Sequence, residues 1–249
     1  MKLEGKTALI TGGGTGLGRA IALQLAREGV NLAINYSRSA EDAQKTAADA
    51  CAMGVKAAPL KADVSIPEEA EKLVAQSAEL FGGRLDILVN NAATTKFVAF
   101  QDLDGLDHND FVRMFETNAL SIFFASRAAA KIMNSRGGGH IISTVSTAGL
   151  RPSGSSIAYA VSKAAGIHIT KCLALALAPA IRVNAVAPGL LLTRWSAGFS
   201  SEQIEGWKQR SLLKQTTDIE ECAGMYLSIA KNDSITGQIF TVDCGDSVQ

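Results

Sequence analysis

The stretch that decides the fold lies near the start of the chain and reads Lys6-Thr-Ala-Leu-Ile-Thr-Gly-Gly-Gly-Thr-Gly-Leu-Gly18. Its first half predicts a short apolar strand, and its end opens a predicted helix over residues 17–28. Gly12, Gly16 and Gly18 follow the spacing G-x-x-x-G-x-G, which differs from the commonest dinucleotide fingerprint. Backbone amides in such a turn, together with a helix N-terminus, can hold a pyrophosphate. The stretch therefore favours a dinucleotide site, with a plain tight turn as the alternative.

Strand-like and helix-like segments alternate from this stretch to the end of the chain. Strands are predicted at residues 6–11, 30–35, 55–62, 85–90, 140–145, 181–187 and 238–242. Helices are predicted at residues 17–28, 39–53, 68–81, 109–135, 155–178 and 201–210. Such alternation implies right-handed crossovers and a parallel sheet. With no linker-like composition or internal repeat, residues 1–249 are predicted to form a single doubly wound, Rossmann-like α/β domain. Its parallel, mostly seven-stranded sheet should carry helices on both faces.

The composition is that of a soluble globular protein, with 47% hydrophobic and 19% charged residues among 249. The formal net charge is zero, and no basic run or acidic tail is present. Neither nucleic acid nor an anionic membrane surface is therefore expected as a partner. No apolar run approaches the ~18 residues of a membrane span, and the first strand follows the N-terminus almost directly. A cytoplasmic protein with no membrane partner is expected.

The cysteines and histidines show no pattern of a disulfide or metal site. Cys51, Cys172, Cys222 and Cys244 contain no C-x-x-C pair, and we expect them to be buried thiols. The three histidines are scattered along the chain. The sequence therefore predicts no catalytic metal.

Tyr159 and Lys163 stand four residues apart on a predicted helix, and residues at that spacing share one face. A free phenol titrates near ~10. The neighbouring ammonium and the positive end of the helix are expected to lower the pKa of Tyr159 toward the working pH, where a general acid is most useful. Alone, the pair is typical of an ordinary helix face. Ser146, which ends an apolar strand thirteen residues before Tyr159, favours a catalytic role.

Together these motifs resemble the classical short-chain dehydrogenase/reductase family over essentially the whole chain. The resemblance implies four catalytic residues, which are Asn118, Ser146, Tyr159 and Lys163. It also implies a mechanism in which Tyr159 exchanges a proton with the substrate oxygen while a hydride moves between nicotinamide and substrate carbon. Ser146 would hydrogen-bond the same oxygen, and Lys163 would lower the pKa of the phenol and hold the nicotinamide ribose. Asn118 would fix a water that relays protons to Lys163.

The resemblance further implies where the cofactor is held. The cofactor-binding residues on the glycine turn and the later segments are Gly12, Gly14, Thr15, Gly16, Leu17, Gly18, Asp63, Val64, Asn91, Ala92, Ala93, Tyr159, Lys163, Pro188, Gly189 and Thr193. Asp63 and Val64 would contact adenine, and Asn91 would lie beside the cofactor ribose. The segment that begins at Pro188 would meet the nicotinamide carboxamide.

The chain departs from the family pattern at three positions. Ala93 stands in place of glycine in the Asn-Asn-Ala-Gly run, and Cys244 in place of glycine in the ending Val-Asp-Gly-Gly. Neither touches the chemistry, although Cys244 is expected to alter packing near the C-terminus. Ala176 stands where members often carry glutamate, and the sequence offers no functional explanation for it.

The end of the second strand bears on cofactor choice. An NAD enzyme of this kind would offer a carboxylate to the ribose 2′-hydroxyl there. Asn35 instead leaves the position uncharged, and after Tyr36 both Ser37 and Arg38 can meet a 2′-phosphate. NADP(H) is therefore predicted, with NAD(H) as the alternative if Arg38 is only a solvated surface residue.

Residues 190–215 form a long connection that holds Trp195, Phe199 and Trp207. Loops of this length are uncommon without a function, and ligands bind where strand C-termini meet such loops. We expect this segment to close over the substrate, although packing or subunit contacts alone would also account for it. Residues 94–97 and 148–153 should line the same site. Lys96, Arg151 and Arg194 either meet an acidic group of the substrate or face water.

The sequence favours an NADP(H)-dependent carbonyl reductase or alcohol dehydrogenase for a small carbonyl or alcohol substrate. An NAD-dependent sugar or polyol dehydrogenase of the same family is the alternative, and a non-catalytic cofactor-sensing binding protein is an alternative of another class. The predicted helix 109–135 carries many phenylalanines, and the resemblance implies that such helices pair across a two-fold axis. A homotetramer is expected, with a dimer as the alternative.

Overall fold

Within residues 2–248, which the computed structural model describes, seven parallel strands form one sheet in the order β3-β2-β1-β4-β5-β6-β7. The strands are β1 (Thr7–Ile10), β2 (Asn31–Tyr36), β3 (Ala57–Lys61), β4 (Ile87–Asn90), β5 (Gly139–Thr144), β6 (Ile181–Pro188) and β7 (Ile239–Val242). The α-helices are α1 (Gly16–Arg27), α2 (Ala40–Cys51), α3 (Pro67–Glu79), α4 (His108–Phe115), α5 (Ser121–Ser135), α6 (Ile157–Leu177), α7 (Ser201–Arg210) and α8 (Ile219–Lys231). The predicted doubly wound, Rossmann-like α/β class is confirmed.

Both faces of the sheet are covered, which is why the central strands are continuous apolar runs. On one face, α1, α2 and α8 contribute Ile21, Ala47 and Tyr226 to a common core. On the other, α3 and α5 contribute residues such as Leu73 and Ile122. Strand β1 is buried along its whole length because it lies between these layers.

The strand order reverses between β1 and β4, which pair directly. In open α/β sheets, ligands bind outside the carboxyl ends of the strands at such a reversal. The glycine turn leaves β1 at this point, and Asn91 follows the end of β4. The topology thus brings the two sequence motifs to one crevice.

The helix predicted over residues 109–135 is not continuous. A π-helical segment, Glu116–Leu120, separates α4 from α5 and contains the buried Asn118. Single π-helical turns inside α-helices occur frequently at functional sites. The residues of this segment give no pattern from which the irregularity can be predicted.

Helix α6 is long and apolar enough to cross a bilayer by length and composition. In the fold it packs against β6 and carries the buried Lys163. We therefore identify α6 as a helix that packs against the sheet and contributes to the core.

The expectation of four buried cysteines is wrong for two of them. Cys51 and Cys172 are exposed, Cys222 is buried and Cys244 is half-buried. Cys51 ends α2 and Cys172 lies on the outer side of α6, so neither lies on the face that contacts the core.

The two glycine replacements differ in their backbone conformation. Cys244 has φ of 56°, in the left-handed region where a Cβ is unfavourable. Ala93 is not among the described residues with positive φ. Replacement of glycine therefore strains the chain at Cys244 only.

We predict that Cys244→Gly raises the free energy of unfolding by about 0.5–1 kcal/mol, because glycine relieves the left-handed strain at some entropic cost. Ala93→Gly, the matched control, should lower it by about 0.5–1 kcal/mol because glycine only adds freedom to the unfolded chain there. Urea unfolding of the three proteins checks both signs. Equal unfolding free energies of wild type and Cys244→Gly would show that the left-handed backbone at Cys244 does not destabilise the protein.

Candidate active site

A cavity of about 950 Å³ opens at the carboxyl edge of the sheet. Its lining brings together most residues predicted to bind a cofactor. These are Gly12, Gly14, Thr15, Gly16, Leu17, Gly18, Asn35, Tyr36, Ser37, Arg38, Asn91, Ala92, Ala93, Tyr159, Lys163, Pro188, Gly189 and Thr193. Ser146 lines the same cavity. Among residues 2–248, Asp63, Val64 and Asn118 lie outside this lining.

The glycine turn has the shape that a pyrophosphate site requires. Gly12 has φ of 61°, and a Cβ on Gly18 would lie 2.3 Å from the carbonyl oxygen of Gly12. Only glycine permits this close approach, which leaves the turn open in front of the N-terminus of α1. Free amides and the positive end of a helix fit the phosphates of a dinucleotide. The residues present therefore fit a nicotinamide dinucleotide.

Asn91 holds the glycine turn from the β4 side. Its side-chain amide donates to the carbonyl oxygens of Thr11 and Gly12 at 3.1 and 3.2 Å. Its backbone amide donates to the Thr11 hydroxyl at 2.9 Å. Asn91 thus fixes the turn as well as lining the cavity.

Asn35 also supports the glycine turn. Its Oδ1 accepts a hydrogen bond from the Gly12 amide at 3.2 Å, and its Nδ2 donates to the carbonyl of Ala62 at 3.1 Å. Because the side chain is buried and used at both ends, it ties the glycine turn to the end of β3. The uncharged residue is needed for this bridge, independently of any contact with a ribose.

Ser37 and Arg38 form the exposed end of the cavity lining. Within residues 2–248, Arg38 takes part in no ion pair, whereas Arg194 on the opposite wall pairs with Asp42 at 2.8 Å. The Arg38 guanidinium is therefore available to an anionic ligand.

Asp63 forms hydrogen bonds within the loop that precedes α3. Its Oδ1 accepts from the amide and the hydroxyl of Ser65 at 3.0 and 2.7 Å, and its amide donates to Glu69 at 2.7 Å. These contacts shape the turn that starts α3.

Helix α6 sets the position of Tyr159. Ser156 caps its N-terminus, and the cap oxygen accepts from the Tyr159 amide at 3.3 Å. The Tyr159 phenol hydrogen-bonds with the Ser146 side chain at the end of β5. Serine and tyrosine from two elements thus meet at one point of the cavity wall.

Lys163 is 2% exposed, and its ammonium donates to the carbonyl of Thr144 at 2.9 Å. The ammonium lies 5.7 Å from the centre of the Tyr159 ring. Burial lowers the pKa of Lys163 from 10.5 to about 8.

The expected direction of the Tyr159 pKa shift is wrong for this structure. Burial of the phenol raises its pKa to about 12, and the hydrogen bond from Ser146 opposes this only in part. Desolvation of the buried phenol is the larger of these two causes, so the pKa rises. The phenol is therefore a protonated group at neutral pH.

Asn118 is buried behind the cavity. Its Oδ1 accepts from the Thr94 amide at 2.8 Å, and its Nδ2 donates to the Thr94 carbonyl and the Ser162 hydroxyl, both at 2.9 Å. The side chain joins the π-helical segment to α6 and to the loop after β4.

The connection 190–215 lies over Tyr159. The ring centres of Trp195 and Tyr159 are 5.8 Å apart, and Phe199 packs against Phe97 and Trp207 at 4.8 and 4.6 Å. These aromatic contacts make an apolar wall beside the phenol.

Three cations considered for substrate binding all have protein partners. Lys96 pairs with Asp110 at 2.6 Å, Arg194 pairs with Asp42, and Arg151 pairs with Asp246. Asp246 itself lines the cavity, which sequence reasoning missed. No local pattern could have found it, since only the fold brings the C-terminal segment to this edge.

The fold and cavity define an oxidoreductase that uses a nicotinamide dinucleotide. Residues 6–204 match the family described as short chain dehydrogenase, and the chain belongs to that family. Versicolorin reductase 1 of Dothistroma septosporum is 35% identical over 244 residues, which cover 98% of this chain and 89% of that protein. The L-rhamnose 1-dehydrogenase (NAD(P)(+)) of a Sphingomonas species is 35% identical, over 98% of this chain and 96% of its own. A short chain dehydrogenase of Burkholderia cenocepacia, solved in complex with NADP, is 36% identical with a TM-score of 0.90 over 99% of each chain.

Lys163 should make stability depend on pH. Its folded pKa of about 8 lies below its ordinary value of 10.5, so between these limits the unfolded chain binds a proton that the folded protein does not. Unfolding free energy should therefore rise with pH in this window, by about 1–3 kcal/mol relative to Lys163→Met. Urea unfolding of both proteins at several pH values from 7.5 to 10 measures this difference. Both proteins share all other titrating groups, so the effects of those groups cancel in the comparison. If the unfolding free energies of the two proteins changed with pH in parallel, the lowered pKa of Lys163 would be contradicted.

Proposed function

We propose that this chain is an NADP(H)-dependent carbonyl reductase, and a secondary-alcohol dehydrogenase in the reverse direction, for small or medium-sized molecules. The observation that carries the proposal is the Tyr159 phenol, hydrogen-bonded with Ser146 in the cavity that also holds the glycine turn. The proposal treats residues 1–249 as one oxidoreductase domain with its substrate loop at residues 190–215.

The bound nicotinamide supplies the hydride. Tyr159 keeps its proton at neutral pH, since its pKa is about 12, and gives it to a carbonyl oxygen that gains negative charge. Ser146 donates a hydrogen bond to the same oxygen and stabilises the charge.

Lys163 carries its charge at neutral pH, because its pKa is about 8, and stabilises the phenolate that Tyr159 leaves behind. In the reverse direction Tyr159 has to lose its proton first, so that the phenolate can accept the proton of the alcohol. Asn118 is proposed to serve the proton relay from its place behind the cavity.

NADP(H) is proposed over NAD(H) because Arg38 is exposed and unpaired among residues 2–248 and lines the cavity with Ser37. A guanidinium binds a phosphate through charge-assisted hydrogen bonds. The Burkholderia structure solved with NADP supports the same choice.

The alternative is an NAD-dependent sugar or polyol dehydrogenase, which the similarity to L-rhamnose 1-dehydrogenase favours. The apolar wall of Trp195, Phe199 and Trp207 favours a less polar substrate and supports the first proposal. A non-catalytic cofactor-sensing protein has less support, because serine, tyrosine and lysine are all in place.

We further propose that the protein is cytoplasmic and assembles as a homotetramer, with a dimer as the alternative. Helices α4, α5 and α6 present exposed apolar side chains, including Phe111, Phe123 and Leu175. Contact between copies of the chain would remove this surface from water.

Tyr159→Phe tests the role of the phenol. The ring is kept and the proton donor is lost, so kcat for reduction should fall by about 10²–10⁴-fold while cofactor affinity stays near that of wild type. Steady-state kinetics and a cofactor titration give the two numbers. A loss of less than about tenfold would remove Tyr159 from the mechanism.

Arg38→Ala tests the cofactor. Loss of a charge-assisted hydrogen bond should weaken NADPH binding by about ten- to a hundredfold and leave NADH binding nearly unchanged. Arg27→Ala, an exposed arginine at the end of α1, is the control. Both cofactors are titrated at fixed ionic strength, and equal affinity of wild type for NADPH and NADH would refute the assignment.

A further inference from the structure

A second cavity of about 740 Å³ adjoins the catalytic cavity. The two share the lining residues Ser153, Gly154, Ser155, Phe199 and Trp207. A volume of this size is typical of small-molecule sites. A ligand that reaches past the shared residues would therefore extend from Tyr159 into the second cavity.

The second cavity is cationic. Among the described residues that line it, the charged ones are Arg151 and Arg210, and no carboxylate takes part. Gln101 and Gln203 add side-chain amides to the lining, which supply further hydrogen-bond donors.

Asp246 holds both arginines from the side of the first cavity. It pairs with Arg151 and lies 3.6 Å from the Nε of Arg210. One carboxylate between two guanidinium groups leaves a net positive charge. The Nε of Arg151 and the Oδ1 of Asp246 are both buried without a hydrogen-bond partner among residues 2–248, so Asp246 does not satisfy every donor of the two arginines. The Arg210 side chain is 54% exposed, so its guanidinium can reach an anionic ligand through charge-assisted hydrogen bonds.

The wall between Tyr159 and the two arginines is apolar. Phe97 and Trp207 both pack edge-on against Phe199, and Arg210 lies 5.3 Å from the centre of the Trp207 ring. Aromatic side chains of this kind pack favourably against aryl groups. The site thus combines an apolar middle with a cationic end.

We propose that the second cavity binds the anionic end of the substrate, so that the enzyme acts on aryl or alkyl carbonyl compounds that carry a carboxylate or phosphate at a distance from the carbonyl. Arg210, from α7, and Arg151, from the loop after Ser146, determine this specificity. The inference rests on the proposed function for the position of the carbonyl at Tyr159.

The test compares 4-benzoylbutyrate with its methyl ester, which keeps the aryl ketone and removes the charge. Because the only two tryptophans of the chain are Trp195 and Trp207, both in the connection 190–215, tryptophan fluorescence reports binding without turnover. Wild type should bind the acid about tenfold more tightly than the ester, as a charge-assisted contact predicts. A phosphate monoester of the same aryl ketone shows whether phosphate is preferred to carboxylate.

Arg210→Gln should reduce the preference for the acid to about twofold or less and leave ester binding unchanged, as loss of one charge-assisted contact predicts. Arg210→Lys should retain part of it. Lys208→Gln removes a charge from the same helix outside the cavity lining, and should leave the preference intact. The same ordering is expected in kcat/KM when the ketones are reduced with NADPH.

Equal affinity of wild type for acid and ester would overturn the inference, and so would an equal loss in Lys208→Gln. If neither ketone is turned over while the acid still binds more tightly and depends on Arg210, the anionic site stands and the proposed reaction fails. The binding measurements therefore test the anionic site, and the kinetic measurements test the proposed reaction.

Discussion

The hydrogen bond from the Lys163 ammonium to the Thr144 carbonyl, at 2.9 Å, is the interaction on which the rest of the site depends. Burying a charged group is costly unless it is hydrogen-bonded, so this contact fixes α6 against the end of β5. Tyr159 and Ser146 lie on the same two elements and are held together by the same constraint. The burial that raises the pKa of the phenol is therefore a consequence of how the helix is anchored.

The fold could be predicted because its signals are local. Apolar strands and helices alternate, and several helices, such as α1 and α6, are followed by a glycine or proline that stops them. Once β1 and β4 pair, the reversal of strand order places the glycine turn beside Asn91 without further information. The apolar periodicity did not predict the π-helical segment at Asn118, because the predicted helix over residues 109–135 is one regular helix.

Much of the site was also predictable, since most cofactor positions line one cavity. The sequence did not reveal the structural contacts that some of these residues also make. Asn35 is used by the glycine turn and β3, and Asp63 by its own loop. The direction of the Tyr159 pKa shift depends on the burial of the phenol, which raises the pKa. The spacing of residues along a helix predicts which side chains are neighbours, but it does not predict how far each one is buried from water.

The C-terminal segment shows how such distant contacts link stability and specificity. A Cβ at Gly245 would lie 2.8 Å from Leu212, and the Leu213 amide donates to the Cys244 carbonyl at 3.1 Å. The turn that holds Cys244 in a left-handed conformation therefore interlocks with the end of the connection over the active site. The next residues place Asp246 between Arg151 and Arg210. A strained backbone conformation persists only where the surrounding contacts hold it in place. The contacts that hold the turn at Cys244 therefore also help to position Asp246 beside the two arginines of the second cavity.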